Sequence, residues 1–205
     1  MNWLEGGPYY ELSFLIKNSE DKQSLLRTIL SKLREESTFE IVNSEEELDI
    51  KIEEYVRGEV DEEVIRRNID IHSILQISGR RKSRLNISEL SEELVKVNFW
   101  FYGSIYDVEE WNQKGIQQKD KEAFKEFFNS VKIILDPILG TIAYEEDCEE
   151  LFLTKILSPD RYFSIKNLSI ENIRERINKN VNEFEFCWIN GQIFGKNQDI
   201  EIATC

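Results

Sequence analysis

The chain has 205 residues, enough for one large domain or two small ones, and 40% of them are hydrophobic, enough to build a core and exclude disorder. Its formal charge is −14, from 40 acidic against 26 basic residues. That field repels nucleic-acid phosphates and anionic membrane surfaces, so both partners are disfavoured unless a local basic patch overrides it.

The N-terminal stretch MNWLEGGPYYELSFLI has no basic region before its apolar run, and no window is apolar for the roughly 18 residues of a membrane span. With three cysteines, Cys148, Cys187 and Cys205, and no C-x-x-C spacing, neither a disulfide framework nor a structural zinc site is expected. A cytoplasmic protein is the expectation.

Tyr9 to Ile16 is a run of strand length after a Gly-Gly-Pro turn. Ser19 then opens a helix, with Leu25, Leu26, Ile29, Leu30 and Leu33 at helical spacing. Thr38 to Val42 reads as a strand. Leu48, Ile50 and Ile52 alternate with Asp49, Lys51 and Glu53, the period of a half-buried strand. Arg57-Gly58 interrupts that strand, and Glu59 to Glu63 reads as a loop or an acidic helix start.

Ile69, Ile71, Leu75 and Ile77 share strand parity, and the turn SGRRKS leads to Leu85 and Ile87, so a hairpin with a basic tip is predicted. Ser88 to Leu94 reads as a helical turn. Val95 to Ile105 is the strongest strand, and Asp120 caps a second amphipathic helix with Ala123, Phe124, Phe127, Phe128, Val131, Ile134 and Leu135 inward, stopped by Pro137. Leu139 to Tyr144 and Leu151 to Leu153 follow as strands. Ser169 caps a short helix through Ile170, Ile173 and Ile177. Phe184 to Ile189 and Gln192 to Phe194 flank the hairpin signal Asn190-Gly191, and Ile200 with Ile202 forms an edge strand.

These elements predict an α+β fold, mostly antiparallel sheet with amphipathic helices, arranged as two ferredoxin-like lobes over residues 1–88 and 89–205, or as one continuous domain.

Motifs for chemistry are sparse. There is no nucleophile elbow, Walker loop or dinucleotide loop, and no cofactor is expected. The sole histidine, His72, could pair with Asp70 as a general base, or could be a surface imidazole. Cys148 lies in EEDCEE, where adjacent carboxylates would raise its pKa rather than activate it. These acids point apart on a short loop, which suits a metal poorly.

Two clusters remain. Residues 44–63 hold ten carboxylates, and Asp49, Glu53, Glu54, Glu59 and Glu62 with the aromatic Trp100 and Tyr102 are candidates for binding a basic protein. Arg80, Arg81, Lys82 and Arg84 could grip a phosphate, or fold back onto the chain's own acids. The leading expectation is a non-enzymatic acidic binding protein: an inhibitor, immunity protein or accessory subunit of a toxin or defence system that masks a basic site. A carboxylate-based enzyme or small-ligand binder with a cleft between the lobes, using Asp70, His72 and the acids near Tyr144, is the alternative. A phosphate or nucleic-acid binder acting through Arg80 to Arg84 is the third.

Overall fold

The computed structural model describes residues 3–4, 9–61, 64–103, 119–144, 148, 184–189, 192–195 and 198–200. It is α+β. In chain order the elements are β1 (Tyr10–Lys17), α1 (Lys22–Arg34), β2 (Phe39–Ile41), α2 (Glu45–Arg57), β3 (Glu59–Asp61), β4 (Val64–Arg66), β5 (Asn68–Gln76), β6 (Arg80–Glu89), β7 (Leu94–Phe101), α3 (Lys121–Leu135), β8 (Leu139–Tyr144), β9 (Phe184–Ile189), β10 (Gln192–Gly195) and β11 (Gln198–Ile200).

Nine of these strands form one antiparallel sheet in the order β11-β10-β9-β8-β1-β7-β6-β5-β2, while β3 and β4 pair separately. The sheet is continuous across the predicted lobe boundary, and it does not confirm two ferredoxin-like lobes. β1 lies centrally, bonded to β7 on one side and β8 on the other. A division at residue 88 would cut a strand, because Ser88 pairs with both Asn68 and Lys96. Ser88 and Glu89 end β6 and Leu94 begins β7, joined by a short connection over residues 90–93 in which the Leu90 amide donates to the Leu94 carbonyl, and not by a helical turn.

Strand parity sorts the side chains. Tyr10, Leu12, Phe14 and Ile16 share one face with Val95, Val97, Phe99 and Phe101 of β7 and with Leu85 and Ile87 of β6. This face carries the core, and the buried sides of α1, α2 and α3 pack into the same cluster. Leu26, Ile29, Leu30 and Leu33 of α1 are buried, as predicted, although its N-cap is Asp21 rather than Ser19 and accepts from the Ser24 amide at 2.9 Å. On α3, Phe124, Phe127 and Phe128 meet Phe101, Phe99 and Phe14 at ring separations of 5.4, 5.8 and 5.1 Å.

The largest departure from the sequence reading is α2. Residues 48–53 are helix, not strand. Ser44 and Glu47 form a reciprocal capping box, and Leu48, Ile52 and Tyr55 recur at i, i+4 and i+7 to give the buried stripe. Ile50, assigned inward by a period of two, stands 52% exposed on the far side of the helix. Residues 59–61 are a strand rather than a loop or helix start, and the turn into it is made by Gly58 at φ 70°.

The predicted hairpin is present as β5–β6, its turn carrying Ser78 at φ 50° and Gly79 at φ 126°. β9 and β10 pair from Ile189 and Gln192 as the Asn-Gly signal implies, and β11 forms one edge of the sheet. Leu151 to Leu153, the helix after Ser169, and Ile202 lie outside the described residues. Among those residues no helix is long and apolar enough to cross a membrane.

Candidate functional site

The acidic segment is built on α2. Its inward stripe of Leu48, Ile52 and Tyr55 packs in the core cluster, which fixes what faces out. At 100° per residue the outward pole falls near Ile50. The four helical neighbours of Ile50, at i−4, i−3, i+3 and i+4, are Glu46, Glu47, Glu53 and Glu54. An exposed isoleucine is thus ringed by four glutamates.

The rest of the surface continues the pattern. Of the six large hydrophobic side chains that stand exposed among the described residues, five (Val42, Ile50, Val56, Val60 and Ile65) lie between positions 42 and 65. Val60 and Ile65 are cross-strand partners in β3–β4. Gly58 brings that hairpin against the end of α2, where a Cβ would collide with the Ile65 side chain.

Not every acid in the segment faces outward unpaired. Arg27 of α1 donates to Asp49 at 2.9 Å, and Arg34 lies 2.5 Å from Glu45. Glu47 accepts from the Ser44 amide at 2.9 Å and from the Asn43 amide group at 3.2 Å. Those bonds, the backbone one first, hold its carboxyl below the usual range. Glu46, Glu53, Glu54 and Glu59 are exposed and make no ion pair among the described residues. Glu62 lies outside the described residues.

Trp100 and Tyr102 do not join this surface. They lie on the sheet face away from the helices, where Tyr102 is buried and Trp100 half-buried. The Trp100 indole donates to Glu11 at 2.8 Å, Asn98 donates to the same oxygen at 2.7 Å, and Tyr9 packs on both rings. These aromatics form an internal polar network.

Strand parity also splits the basic cluster. Arg80, Lys82 and Arg84 project from β6 on the face away from the helices, with Arg80 exposed and the other two half-buried. Arg81 points the other way and is 1% exposed. Its Nε donates to the Ile77 carbonyl at 2.9 Å and its Nη1 to the carbonyls of Tyr102 and Gly103. Its Nη2 lies 3.6 Å from Asp120, and its guanidinium sits over Phe124. Arg81 is held in the interior, away from any solvent-borne phosphate.

Of the residues named for the enzyme alternative, Asp70, His72 and Tyr144 lie among the described residues. Asp70 and His72 share a face of β5, but Asp70 accepts from Asn86 at 3.0 Å, and the His72 ring stacks on Trp3 at 5.0 Å. Tyr144 is on β8, with three strands between it and β5, and on the opposite face. The acids after it lie outside the described residues. Among the described residues no three His, Cys, Asp or Glu side chains converge to hold a metal. A shallow concavity follows the exposed side of α1, lined by Asp21, Ser24, Arg27, Thr28 and Lys32 among others, and none of the predicted residues lines it.

Sequence reasoning missed Ile50 as a surface residue, although the signal was present. Ser44 and Glu47 are spaced as a capping box, and reading 48–55 at helical period turns Ile50 outward. The fold and surface define an α+β protein with a charged, apolar-centred helix face. No protein-family model, curated protein or solved structure matches the chain.

Proposed function

We propose that this protein is a non-catalytic, cytoplasmic binding protein that masks a basic site on a protein partner. An inhibitor, immunity protein or accessory subunit of a toxin or defence system would act in this way. The observation that carries the reading is the ring of Glu46, Glu47, Glu53 and Glu54 around exposed Ile50. Protein interfaces combine an apolar centre with a polar rim, and this helix face has that layout. The carboxylates steer a cationic surface into register, and Ile50 with Val60 supplies apolar area to desolvate. A second copy of the chain is a poor occupant, since two such rings would repel.

Capture from native lysate on immobilised protein tests the reading. The wild type should retain a basic protein that salt releases. Reversal of Glu53 and Glu54 to lysine should abolish retention, and Ile50→Asp should weaken it at low salt. Exposed substitutions of this kind change stability by only about 0.5 kcal/mol, so loss of binding would not reflect unfolding. Retention that survives both the reversals and high salt would rule the proposal out.

A further inference from the structure

On the sheet face away from the helices, β5 and β6 place His72 directly opposite Arg84. Side chains so paired have Cβ atoms about 5 Å apart. Both are half-buried, and neither side chain is fully hydrogen-bonded among the described residues. Arg84 makes one hydrogen bond among the described residues, from Nη2 to the Leu4 carbonyl at 3.4 Å, and its Nε is buried with no acceptor. The His72 imidazole makes no hydrogen bond among the described residues, since only its backbone amide is engaged, by Asn43 at 2.7 Å.

A guanidinium offers five donors, and a buried donor without an acceptor is costly to keep. What the pair lacks is an acceptor. Its surroundings supply a frame: Trp100 lies under the Arg84 guanidinium at 5.8 Å, and Trp3 stacks on His72. Lys82, two residues along the same face of β6, places its ammonium 5.8 Å from the Trp3 ring. Among the described residues the nearby acids do not fill the gap. Asp70 accepts from Asn86, and Glu47 is engaged in the α2 cap.

We infer that His72 and Arg84, flanked by Lys82, form an oxyanion site that takes a phosphate group. Arginine matches phosphate geometry with two parallel donors, and donors approaching from two strands suit a tetrahedral anion with several oxygens. The donors of this site differ from the residues of the α2 face, although Glu47 and Lys51 of α2 act on His72, and the inference does not rest on the protein-binding reading.

Burial, then Arg84 and Lys51, hold the His72 pKa below its ordinary value, against the pull of Glu47 and Asp70. An anion seated between His72 and Arg84 favours the imidazolium and reverses that direction. His72 is the chain's single histidine, so its ring C–H resonances report without ambiguity.

The experiment is an NMR titration of the full chain with inorganic phosphate at constant ionic strength. A saturable shift of the His72 resonances and a raised His72 pKa are expected. Arg84→Gln should remove both, and Lys82→Ala should weaken the affinity several-fold. Arg57→Gln, on α2, should change neither. The inference is overturned if phosphate leaves His72 unmoved, if acetate at matched ionic strength acts equally, or if Arg84→Gln responds like the wild type. Should Arg84→Gln fail to fold, Lys82→Ala decides, and an undiminished affinity there counts against the site.

Discussion

The Arg81 guanidinium lies 3.6 Å from the Asp120 carboxylate, with the two side chains 1% and 10% exposed. The pair ties the β5–β6 hairpin to the start of α3. Asp120 occupies the N-cap position but makes no side-chain capping bond. Breaking a buried pair by removing one partner leaves an uncompensated charge, typically about 3–5 kcal/mol destabilising. Arg81→Ala should cost at least that, because the carbonyls of Ile77, Tyr102 and Gly103 also lose their donor. Urea unfolding of Arg81→Ala, Asp120→Ala and the double variant should give a strongly non-additive cycle. Additive losses would show that the two side chains do not act as a pair.

That pair also shows where the sequence stops being informative. The inward parity of Arg81 is readable, since it shares strand parity with Leu85 and Ile87. Its partner lies far along the chain, and nothing local announces it. The same limit hid the single sheet, because the pairing of β1 with both β7 and β8 is non-local. Elements with one dominant period, such as α1, α3, β7 and the β5–β6 hairpin, were legible. The stretch 48–52 fits two periods at once, and the capping box at Ser44, rather than hydrophobicity, settles it as helix. The acidic segment is visible in the sequence, but its exposed apolar centre emerges only when Ile50 is turned outward.

Gly140 faces the helices opposite Phe14 in β8, where a Cβ would lie 2.8 Å from Phe128 and 3.0 Å from Phe14. Both ring atoms belong to a packed aromatic pair that cannot retreat freely. Gly140→Ala should therefore destabilise by about 1–3 kcal/mol, the usual cost of overpacking. Adding Phe128→Leu should recover part of the loss, as measured by urea unfolding. A neutral Gly140→Ala would mean that the β8–α3 contact has slack.

The α2 cap makes a third, milder prediction. Ser44→Ala removes the acceptor for the Glu47 amide, which lies 3.2 Å from the Ser44 hydroxyl. A loss of about 1 kcal/mol is expected. Because the Glu47 pKa is depressed in the folded chain, its contribution is present above the ordinary carboxylate range and lost as pH falls through the folded value. Unfolding midpoints of wild type and Glu47→Gln should converge in acid. If the gap is constant across pH, Glu47 does not cap as a carboxylate.

His72 predicts a pH dependence in a different window. Its folded pKa lies below the ordinary 6.5, first through burial and then through Arg84 and Lys51. The unfolded chain therefore binds a proton more readily than the folded one. Stability linked to this group is fully present above about pH 6.5 and declines as pH falls toward the folded value. The difference in urea midpoint between wild type and His72→Gln should grow more favourable to wild type with rising pH, then level off. Phosphate, by raising the folded pKa, should flatten that rise in the wild type and leave His72→Gln without a matching change. A difference that ran the other way, with wild type gaining as the solution is acidified without phosphate, would mean that Glu47 and Asp70 outweigh burial and Arg84 at this imidazole.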